Sequence, residues 1–262
     1  MLTRAQMEKS HQLWDELADF SAARADEALR HLMQTMAGWL HAHDLVWVGA
    51  ARLMQGAPAR RDLQHGWRGL AVRHYKTTPQ ALAQSHVIAR EQDKSPALTT
   101  IALTAHMGRF RIHRLRDGFV DFDAFRRTAH YRMVYEEQGI RDRMWVAVPI
   151  NADAESFLLV DRDKSHRLFS AHDAEWVAYT MRGLKWFHRE LLLSHGLLLA
   201  GRPLTLTERR ILHLLLTDRT EAEIAAHIGQ SPHTTHGYVK EILRKYGVRG
   251  RTGLMALWLR GG

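Results

Sequence analysis

The chain lacks cysteine and has no long apolar run. None of its 262 residues is Cys, which excludes disulfides, thiolate metal sites, iron-sulfur clusters and cysteine nucleophiles. No apolar stretch approaches the ~20 residues of a membrane-spanning helix. The first residues also lack the apolar block of a secretory signal. We therefore expect a cytoplasmic protein, in which any sensing uses chemistry other than that of thiols.

Catalytic and metal-binding patterns are missing as well. The sequence contains no G-x-S-x-G, no phosphate-binding loop and no pair of His on one helix face, so we expect no enzyme activity. Eighteen His are present. Outside the C-terminal segment, His41 and His43 form the only close pair, and no second set of ligands follows at a recognisable spacing. We expect neither a metal nor another cofactor.

Positive charge is concentrated at the C-terminal end. The net charge is +9, and residues 202–262 contain ten Lys or Arg against five Asp or Glu. A polyanionic partner such as nucleic acid requires such a concentration. A solvated basic surface would give the same count, so charge alone does not decide between the two interpretations.

The first three quarters of the chain alternate between helical and strand patterns. Apolar spacing predicts one long or two short helices over residues 10–41, and residues 55–58 read as a turn. Residues 99–115 are ambiguous. Further helices are predicted over 79–92, 122–138 and 174–199, and strands over 45–53, 67–75, 144–150 and 156–161. This order is typical of an α+β domain with helices packed on an antiparallel sheet.

The end of this region resembles a GAF domain, a sensor fold related to PAS. The resemblance rests on the last two strands, followed by Phe169 and by Ser170-x-x-Asp173 opening a long final helix. GAF sequences have no short invariant motif, and another PAS-like or α+β fold fits the same order. We predict a GAF/PAS-like α+β domain with a dimerisation or sensor role in residues 1–196, and a linker in residues 197–203. The apolar run 191–199 is either core or a dimer seam.

Residues 204–262 predict an all-α domain of four short helices. Thr205 with Glu208, and Thr220 with Glu223, have the spacing of capping boxes that start the first two helices. Gly229 ends the second. The third begins at the cap Ser231 and ends at Gly247. Its residues Val239, Ile242, Leu243 and Tyr246 form an apolar stripe, and polar residues occupy the other side. A helix, a tight turn and a reading helix define the helix-turn-helix arrangement.

This segment resembles the LuxR-type, or GerE-type, helix-turn-helix domain. The family pattern L-T-x-x-E stands at residues 204–208, E-I-A at 223–225 and S-x-x-T at 231–234. The pattern I-L-x-K followed by G-V-x-x-R stands at 242–245 and 247–251. The resemblance implies sequence-specific binding of double-stranded DNA and regulation of transcription. It covers 57 of the 262 residues.

The side chains of the reading helix suggest which residues contact bases and which contact the DNA backbone. We expect His236, Gly237 and Lys240 to read bases, because Lys and His can donate to guanine and Gly leaves room for a thymine methyl group. Glu241 would accept from cytosine or pair with Lys245. Thr235, where the family has Val, needs a partner for its hydroxyl. The expected DNA-backbone contacts are Thr205, Ser231, Thr234, Tyr238, Arg244, Lys245 and Arg251.

The N-terminal domain offers weaker functional signals. Acyl-homoserine-lactone receptors join an α+β sensor to the same DNA-binding unit, but their spaced pattern of Trp, Tyr, Asp and Trp has no convincing equivalent here. The nearest approach is Tyr131, Tyr135, Asp142 and Trp145. Aromatic residues on strands have two equally simple explanations, packing in the core and the lining of a ligand pocket. The candidate pocket residues are Trp47, Trp67, Tyr75, Trp145 and Phe157.

Two hypotheses follow for the whole chain. In the first, a homodimer reads an inverted repeat, and a small molecule bound in the N-terminal domain modulates its activity. In the second, that domain binds no ligand and acts through a partner protein. A domain interior filled by Trp and Phe would favour the partner, and a cavity of a few hundred cubic ångströms would favour the ligand.

Overall fold

A five-stranded antiparallel sheet forms the centre of the N-terminal region. The structure, a computed structural model, describes residues 1–76, 78–198 and 203–259, without the side chains at 80–82 and 86. Residues 199–202 of the predicted linker and residues 260–262 lie outside the described residues. The strands are β1 Asp44–Arg52, β2 Trp67–His74, β3 Arg111–Arg114, β4 Ile140–Asn151 and β5 Ala154–Asp163. Their order is β2-β1-β5-β4-β3, with every neighbouring pair antiparallel. The antiparallel sheet is thereby confirmed, while the GAF/PAS-like assignment stays a prediction.

Helices cover both faces of this sheet. They are α1 Arg4–Ala18, α2 Ala25–Leu40, α3 Gly56–Arg61, α4 Pro79–Lys94, α5 Leu98–Thr104, α6 Phe122–Phe125, α7 Ala129–Tyr131, α8 Ala171–Arg182 and α9 Lys185–Ser194. A turn of 3₁₀ helix, Ala22–Arg24, precedes α2, and a π-helical turn, Arg132–Glu136, follows α7. On one face, α1, α2, α8 and α9 form the main hydrophobic core with residues such as Leu45, Val146 and Leu158. On the other face, smaller clusters involve α5, α6 and the π-helical turn.

The helix predicted over residues 122–138 is broken into shorter pieces. Asp121 caps α6 by accepting a hydrogen bond from the Ala124 amide. Thr128 then takes an extended conformation and caps α7 by accepting from the Tyr131 amide. A residue that caps a new helix cannot continue the previous one. Gly139 follows the π-helical turn with φ +69°, as a terminating Gly does.

The helix predicted from residue 174 to 199 is interrupted as well, at Gly183 and Leu184. A β-carbon at Gly183 would lie within 3 Å of the Trp14 indole of α1, so the chain passes closer to α1 here than another residue allows. Leu184 leaves helical geometry and precedes α9. Leu191, Leu192 and Leu193 are all buried within this single chain. Of the two interpretations of residues 191–199, the core interpretation therefore holds for these three leucines.

The other differences concern lengths and ambiguous segments. Of the two alternatives for residues 10–41, one long helix or two short ones, the structure has two helices, and the first begins earlier than predicted because Thr3 and Gln6 form a capping box. The hairpin strands β4 and β5 extend beyond their predicted ends, which leaves only two residues, 152 and 153, between them. The predicted turn at 55–58 opens the short helix α3. The ambiguous segment 99–115 contains most of α5 and the edge strand β3.

Four helices form the C-terminal region, as predicted. They are α10 Leu206–Leu215, α11 Glu221–Ile228, α12 Pro232–Lys245 and α13 Arg251–Leu259. Both capping boxes are formed, and Ser231 caps α12 by accepting from the Thr234 amide. Gly229 and Gly247 take the left-handed conformation after α11 and α12. Local signals within three or four residues were sufficient to place these helix ends.

The C-terminal helices have a core of their own. Buried residues of α10, α11, α12 and α13 meet in it, among them Ile211, Ile224, Val239 and Leu254. Leu193, from the end of α9, belongs to the same cluster. The core of the C-terminal region therefore includes one residue of the N-terminal region.

The described residues contain neither a membrane-spanning helix nor a metal-binding cluster. No described helix is long and apolar enough to cross a membrane. No group of three or more His, Asp or Glu among the described side chains has an arrangement that could hold a metal ion.

Thr235 generates a stability prediction. Its side chain is fully buried in α12, and its hydroxyl has no hydrogen-bond partner among the described residues. An unpaired buried hydroxyl costs about 1–3 kcal/mol, and an apolar group of the same shape avoids this cost. We therefore expect Thr235→Val to raise the free energy of unfolding by about 1 kcal/mol, measured by urea denaturation. Thr252→Val, at an exposed position, is the matched control. A destabilised Thr235→Val protein would contradict the prediction.

Candidate functional sites: the reading helix and an internal cavity

Helix α12 separates its residues into a buried and an exposed side. Thr235, Val239 and Ile242 are buried against the C-terminal core. The opposite side is exposed and presents imidazole, ammonium and guanidinium groups around one Gly. Its members are His233, His236, Gly237, Lys240 and Arg244. A face of this composition can enter the DNA major groove and donate to base edges and phosphates.

The three predicted base readers lie together on this exposed side. The ammonium group of Lys240 forms no ion pair with any described residue. A β-carbon at Gly237 would meet no atom within 4 Å, so the space above it is open. His236 has a partner: its Nδ1 lies 2.9 Å from Oε2 of Glu221, the first residue of α11. Glu221 was not among the predicted site residues, because its pairing with His236 spans a turn between two helices.

Three of the predicted backbone contacts are exposed residues at helix starts. Thr205 caps α10, and Ser231 caps α12. The hydroxyls of Ser231 and Thr234 are 2.8 Å apart. The start of α12 therefore presents two hydroxyls at the positive end of the helix dipole, an arrangement suited to a phosphate.

Two predicted backbone contacts are engaged inside the domain. Lys245 Nζ donates to both carboxylate oxygens of Glu208, at 2.7 and 2.8 Å. Burial alone would raise the pKa of Glu208, but the hydrogen bonds from Lys245 and Thr205, together with the charge of Lys245, lower it. Arg251 donates to the carbonyls of Leu215 and Arg219, at 2.8 and 2.6 Å. These two cations hold α10 against α12 and α13, so a phosphate would have to compete with their internal partners.

Glu241 has a different partner from the one that was predicted. It pairs with Arg244, whose Nη2 lies 2.6 Å from Oε1. The alternative pairing with Lys245 was wrong, because Glu208 of α10 already binds that ammonium group. Arg244 remains exposed. The remaining predicted contact, Tyr238, packs partly against the C-terminal core.

A cavity of about 320 Å³, partly open to solvent, lies in the N-terminal region. Its floor is the sheet face opposite the main core, with Val46, Val48 and Ala50 on β1 and Phe157 and Leu159 on β5. Residues of α4, α5 and the segment 130–138 complete its lining. A cavity of this size, with a mostly apolar floor, is typical of a site for a small organic molecule.

The strand register makes one end of the cavity polar. Asp161 pairs across the sheet with Asp44 on one side and Arg143 on the other. Arg143 donates to both carboxylate oxygens of Asp161, at 2.5 and 2.7 Å. Both side chains are buried. The next pair of facing residues on this side of the sheet is Val46 and Leu159. The cavity lining therefore changes from charged to apolar side chains between these two neighbouring pairs.

His130 adds a neutral hydrogen-bonding group to the cavity wall. Burial, together with the nearby charge of Arg143, lowers the pKa of His130 to about 4. Its Nδ1 lies 3.1 Å from the amide nitrogen of Gln92, whose oxygen accepts from the Ala97 amide. Gln92 therefore donates to Nδ1, and the neutral ring carries its proton on Nε2.

Three of the five predicted pocket residues line this cavity and two do not. Trp67, Trp145 and Phe157 are in the lining. Trp47 points to the main core on the other sheet face and donates to Ser156 Oγ at 2.7 Å. Tyr75 follows the end of β2 and also packs against the main core. Side chains alternate between sheet faces, so Trp47 lies opposite its neighbours Val46 and Val48. The sequence signal for the cavity residues of β1 is this alternation: if β1 is a central strand, Val46, Val48 and Ala50 share one sheet face and Trp47 lies on the other.

Comparison with protein families identifies the C-terminal region. Residues 202–258 match the family described as bacterial regulatory proteins, luxR family. These residues form a luxR-family helix-turn-helix domain, as the sequence motifs predicted. No curated protein matches the chain.

Several solved structures are similar to the chain at low identity. One is SdiA in complex with octanoyl-rac-glycerol, with 14% identity over 100% of this chain and 96% of that one, and a TM-score of 0.49. A crystal structure of Escherichia coli SdiA has 14% identity, covers 95% of both chains and scores 0.46. The VqsR LBD domain from Pseudomonas aeruginosa has 13% identity over 69% of this chain and 96% of its own, and scores 0.44. These scores are too low to transfer a fold or a ligand.

The Glu221 contact generates a prediction about base selection. A carboxylate only accepts hydrogen bonds, so it holds the proton of a neutral His236 on Nδ1 and leaves Nε2 as an acceptor for cytosine N4 or adenine N6. We expect Glu221→Gln to loosen the base preference at the position that His236 contacts, measured by selection from a random DNA library. Glu223→Gln, in the same helical turn but without a contact to His236, is the control. An unchanged preference in Glu221→Gln would contradict this role.

Proposed function

We propose that this protein is a sequence-specific DNA-binding regulator of transcription whose activity responds to a small molecule in the N-terminal cavity. The observation that carries the DNA-binding part is the exposed side of α12. There, Lys240 and His236 flank an open position at Gly237 within a luxR-family domain. The proposal divides the chain into a sensor domain over residues 1–196, a linker over 197–203 and a DNA-binding domain over 204–262. We retain the GAF/PAS-like class for the sensor as a proposal supported by its antiparallel sheet and flanking helices.

We further propose that the protein binds DNA as a homodimer on an inverted repeat. Two reading helices about 34 Å apart would enter successive major grooves on one side of the DNA. Helix α13 supports this proposal with two exposed apolar side chains, Met255 and Leu259, at 40% and 85% exposure. Binding to a single half-site as tightly as to the full inverted repeat would contradict the dimer.

Lys240 provides the direct test of base reading. An ammonium group that donates to guanine N7 or O6 contributes about 1–3 kcal/mol of discrimination between bases. We expect Lys240→Ala to weaken binding to selected DNA about tenfold or more and to relax sequence preference, with a smaller loss on random DNA. A mobility-shift series on both DNAs measures this difference. Lys9→Ala, at an exposed position of α1, is the control. Equal losses on both DNAs would make Lys240 a phosphate contact instead.

The cavity favours the ligand hypothesis over the partner hypothesis. Trp67, Trp145 and Phe157 line the cavity without filling it. Its ionic end contains the pair of Arg143 with Asp161 and the neighbouring carboxylate of Asp44, so a ligand with a negative charge would be costly to bury there. We propose an uncharged, mainly apolar ligand of modest size, with a hydrogen-bonding group directed to the end formed by Arg143, Asp161 and His130.

The neutral fluorescent probe N-phenyl-1-naphthylamine tests this site. We expect the probe to bind the protein with increased fluorescence. Val48→Phe should raise its Kd about tenfold or more, because the larger side chain occupies the cavity. Val87→Phe, the same change at a 44% exposed position of α4, should leave the Kd unchanged. No binding to the unmodified protein, or equal binding to both variants, would support the alternative in which the N-terminal domain is a protein-interaction module.

A further inference from the structure

The end of α9 connects the N-terminal region to the DNA-binding domain. We define the α9 joint as Leu193, Ser194 and His195 with their partners Arg209 and Tyr246. Leu193 is 1% exposed within the C-terminal core. The hydroxyl of Tyr246, at the end of the reading helix, donates to the Leu193 carbonyl at 2.5 Å. The Leu204 amide donates to the His195 carbonyl at 3.0 Å. The reading helix is therefore attached to the N-terminal region by direct contacts in addition to the linker.

An ion pair between the buried Arg209 and the half-exposed Asp26 strengthens the α9 joint. Arg209 of α10 is 4% exposed and places Nη2 2.5 Å from Oδ1 of Asp26, in the first turn of α2. Its Nε donates to the Ser194 carbonyl. Burial alone would raise the pKa of Asp26, but the charge and hydrogen bond of Arg209, together with the nearby charges of His213 and Arg73, lower it. Removing the Asp26 carboxylate would leave the buried Arg209 charge without its ionic partner, which is costly, so Asp26 contributes to holding the two regions together.

The α9 joint also rests directly on strand β1. The ring of His195 lies 4.7 Å from the ring of Trp47, between centroids. Gly49 is the next β1 residue on that face. A β-carbon at Gly49 would lie 2.5 Å from Leu197 Cδ1 and 3.0 Å from Leu192 Cδ2. A methyl group at this position would therefore displace the ends of both leucine side chains.

Buried hydrogen bonds also connect strand β5 to β1 and α9. Ser156 Oγ accepts from Trp47 Nε1 at 2.7 Å and lies 2.7 Å from Nδ1 of His188, in α9. Burial lowers the pKa of His188 to about 3, so the ring is neutral and Nδ1 accepts from the Ser156 hydroxyl. β1, β5 and α9 are thereby linked through one buried serine.

The opposite faces of the same two strands are the floor of the cavity. Val46, Val48 and Ala50 alternate with Trp47 and Gly49 along β1. On β5, Phe157 is the direct neighbour of Ser156. A displacement of either strand at the cavity must therefore move side chains at the α9 joint, because adjacent residues share one backbone.

We propose that β1 and β5 couple the cavity to the α9 joint, so that filling the cavity changes how firmly the DNA-binding domain is held. The coupling rests on the proposed function in that it treats the cavity as the ligand site. The exposed side of α12 stays uncovered when the joint is formed. The joint therefore controls the orientation of the reading helix and leaves its DNA-contacting residues accessible.

Hydrogen exchange of the full-length protein tests the joint itself. We expect Gly49→Ala to speed exchange of α10 amides about tenfold, because the added methyl group displaces Leu192 and Leu197. Gly38→Ala, where a β-carbon meets nothing within 4 Å, is the matched control. Tyr246→Phe removes only the hydroxyl and should speed the same amides by a smaller factor, so the test does not depend on one variant. Effects of Gly49→Ala confined to residues before 198 would overturn the proposal.

A second comparison tests the coupling without a ligand. Val48→Phe fills the cavity from within, and Val87→Phe is its exposed control. We expect Val48→Phe to change α10 exchange at least about threefold in the otherwise unmodified protein and to have no effect in the Asp26→Asn/Tyr246→Phe background, where the joint is weakened. Equal effects in both backgrounds, or none in either, would overturn the coupling. If the probe fails to bind but Val48→Phe still acts on α10, the ligand site is wrong and the coupling stands.

Discussion

The alternation of side chains along the central strands β1 and β5 is the constraint on which the rest of the structure depends. One face of this pair closes the main core under α1, α2, α8 and α9, and the other is the floor of the cavity. Each of these strands has a partner on both sides, so a shift of register by one residue would exchange the two faces. The positions of the cavity and of the α9 joint are therefore fixed by the same hydrogen-bond ladder.

The DNA-binding domain could be predicted from the sequence because its signals are local. Thr205 with Glu208, and Thr220 with Glu223, determine helix starts through contacts between residues three apart. The exposed side of α12 likewise follows from helical periodicity alone. These features require no knowledge of distant parts of the chain, and their predicted positions agree with the structure.

The remaining features depend on contacts between residues far apart in sequence. Trp47 and Trp67 are both aromatic residues on strands, yet only Trp67 lines the cavity, because the sheet face of each is set by its pairing with other strands. Lys245 stays a predicted phosphate contact, but its internal partner Glu208 lies 37 residues earlier, where local sequence patterns give no sign of the pairing. Thr128 interrupted a helix that apolar spacing alone predicts as continuous. The α9 joint requires residues from both regions, and sequence periodicity gives no information about such a contact.

The internal use of cations changes how the positive charge of the C-terminal region should be interpreted. Arg209, Lys245 and Arg251 bind Asp26, Glu208 and backbone carbonyls, and Arg244 is paired with Glu241. Arg202 and Arg260 lie outside the described residues. Among the described residues of the C-terminal region, the cations that are exposed and unpaired are Arg210, Arg219, Lys240 and Arg249. Fewer phosphate contacts mean a shallower dependence of affinity on salt than ten cations suggest. A larger share of the free energy of DNA binding must then come from base contacts on α12. Of the four unpaired cations, Lys240 is the one that lies on this helix.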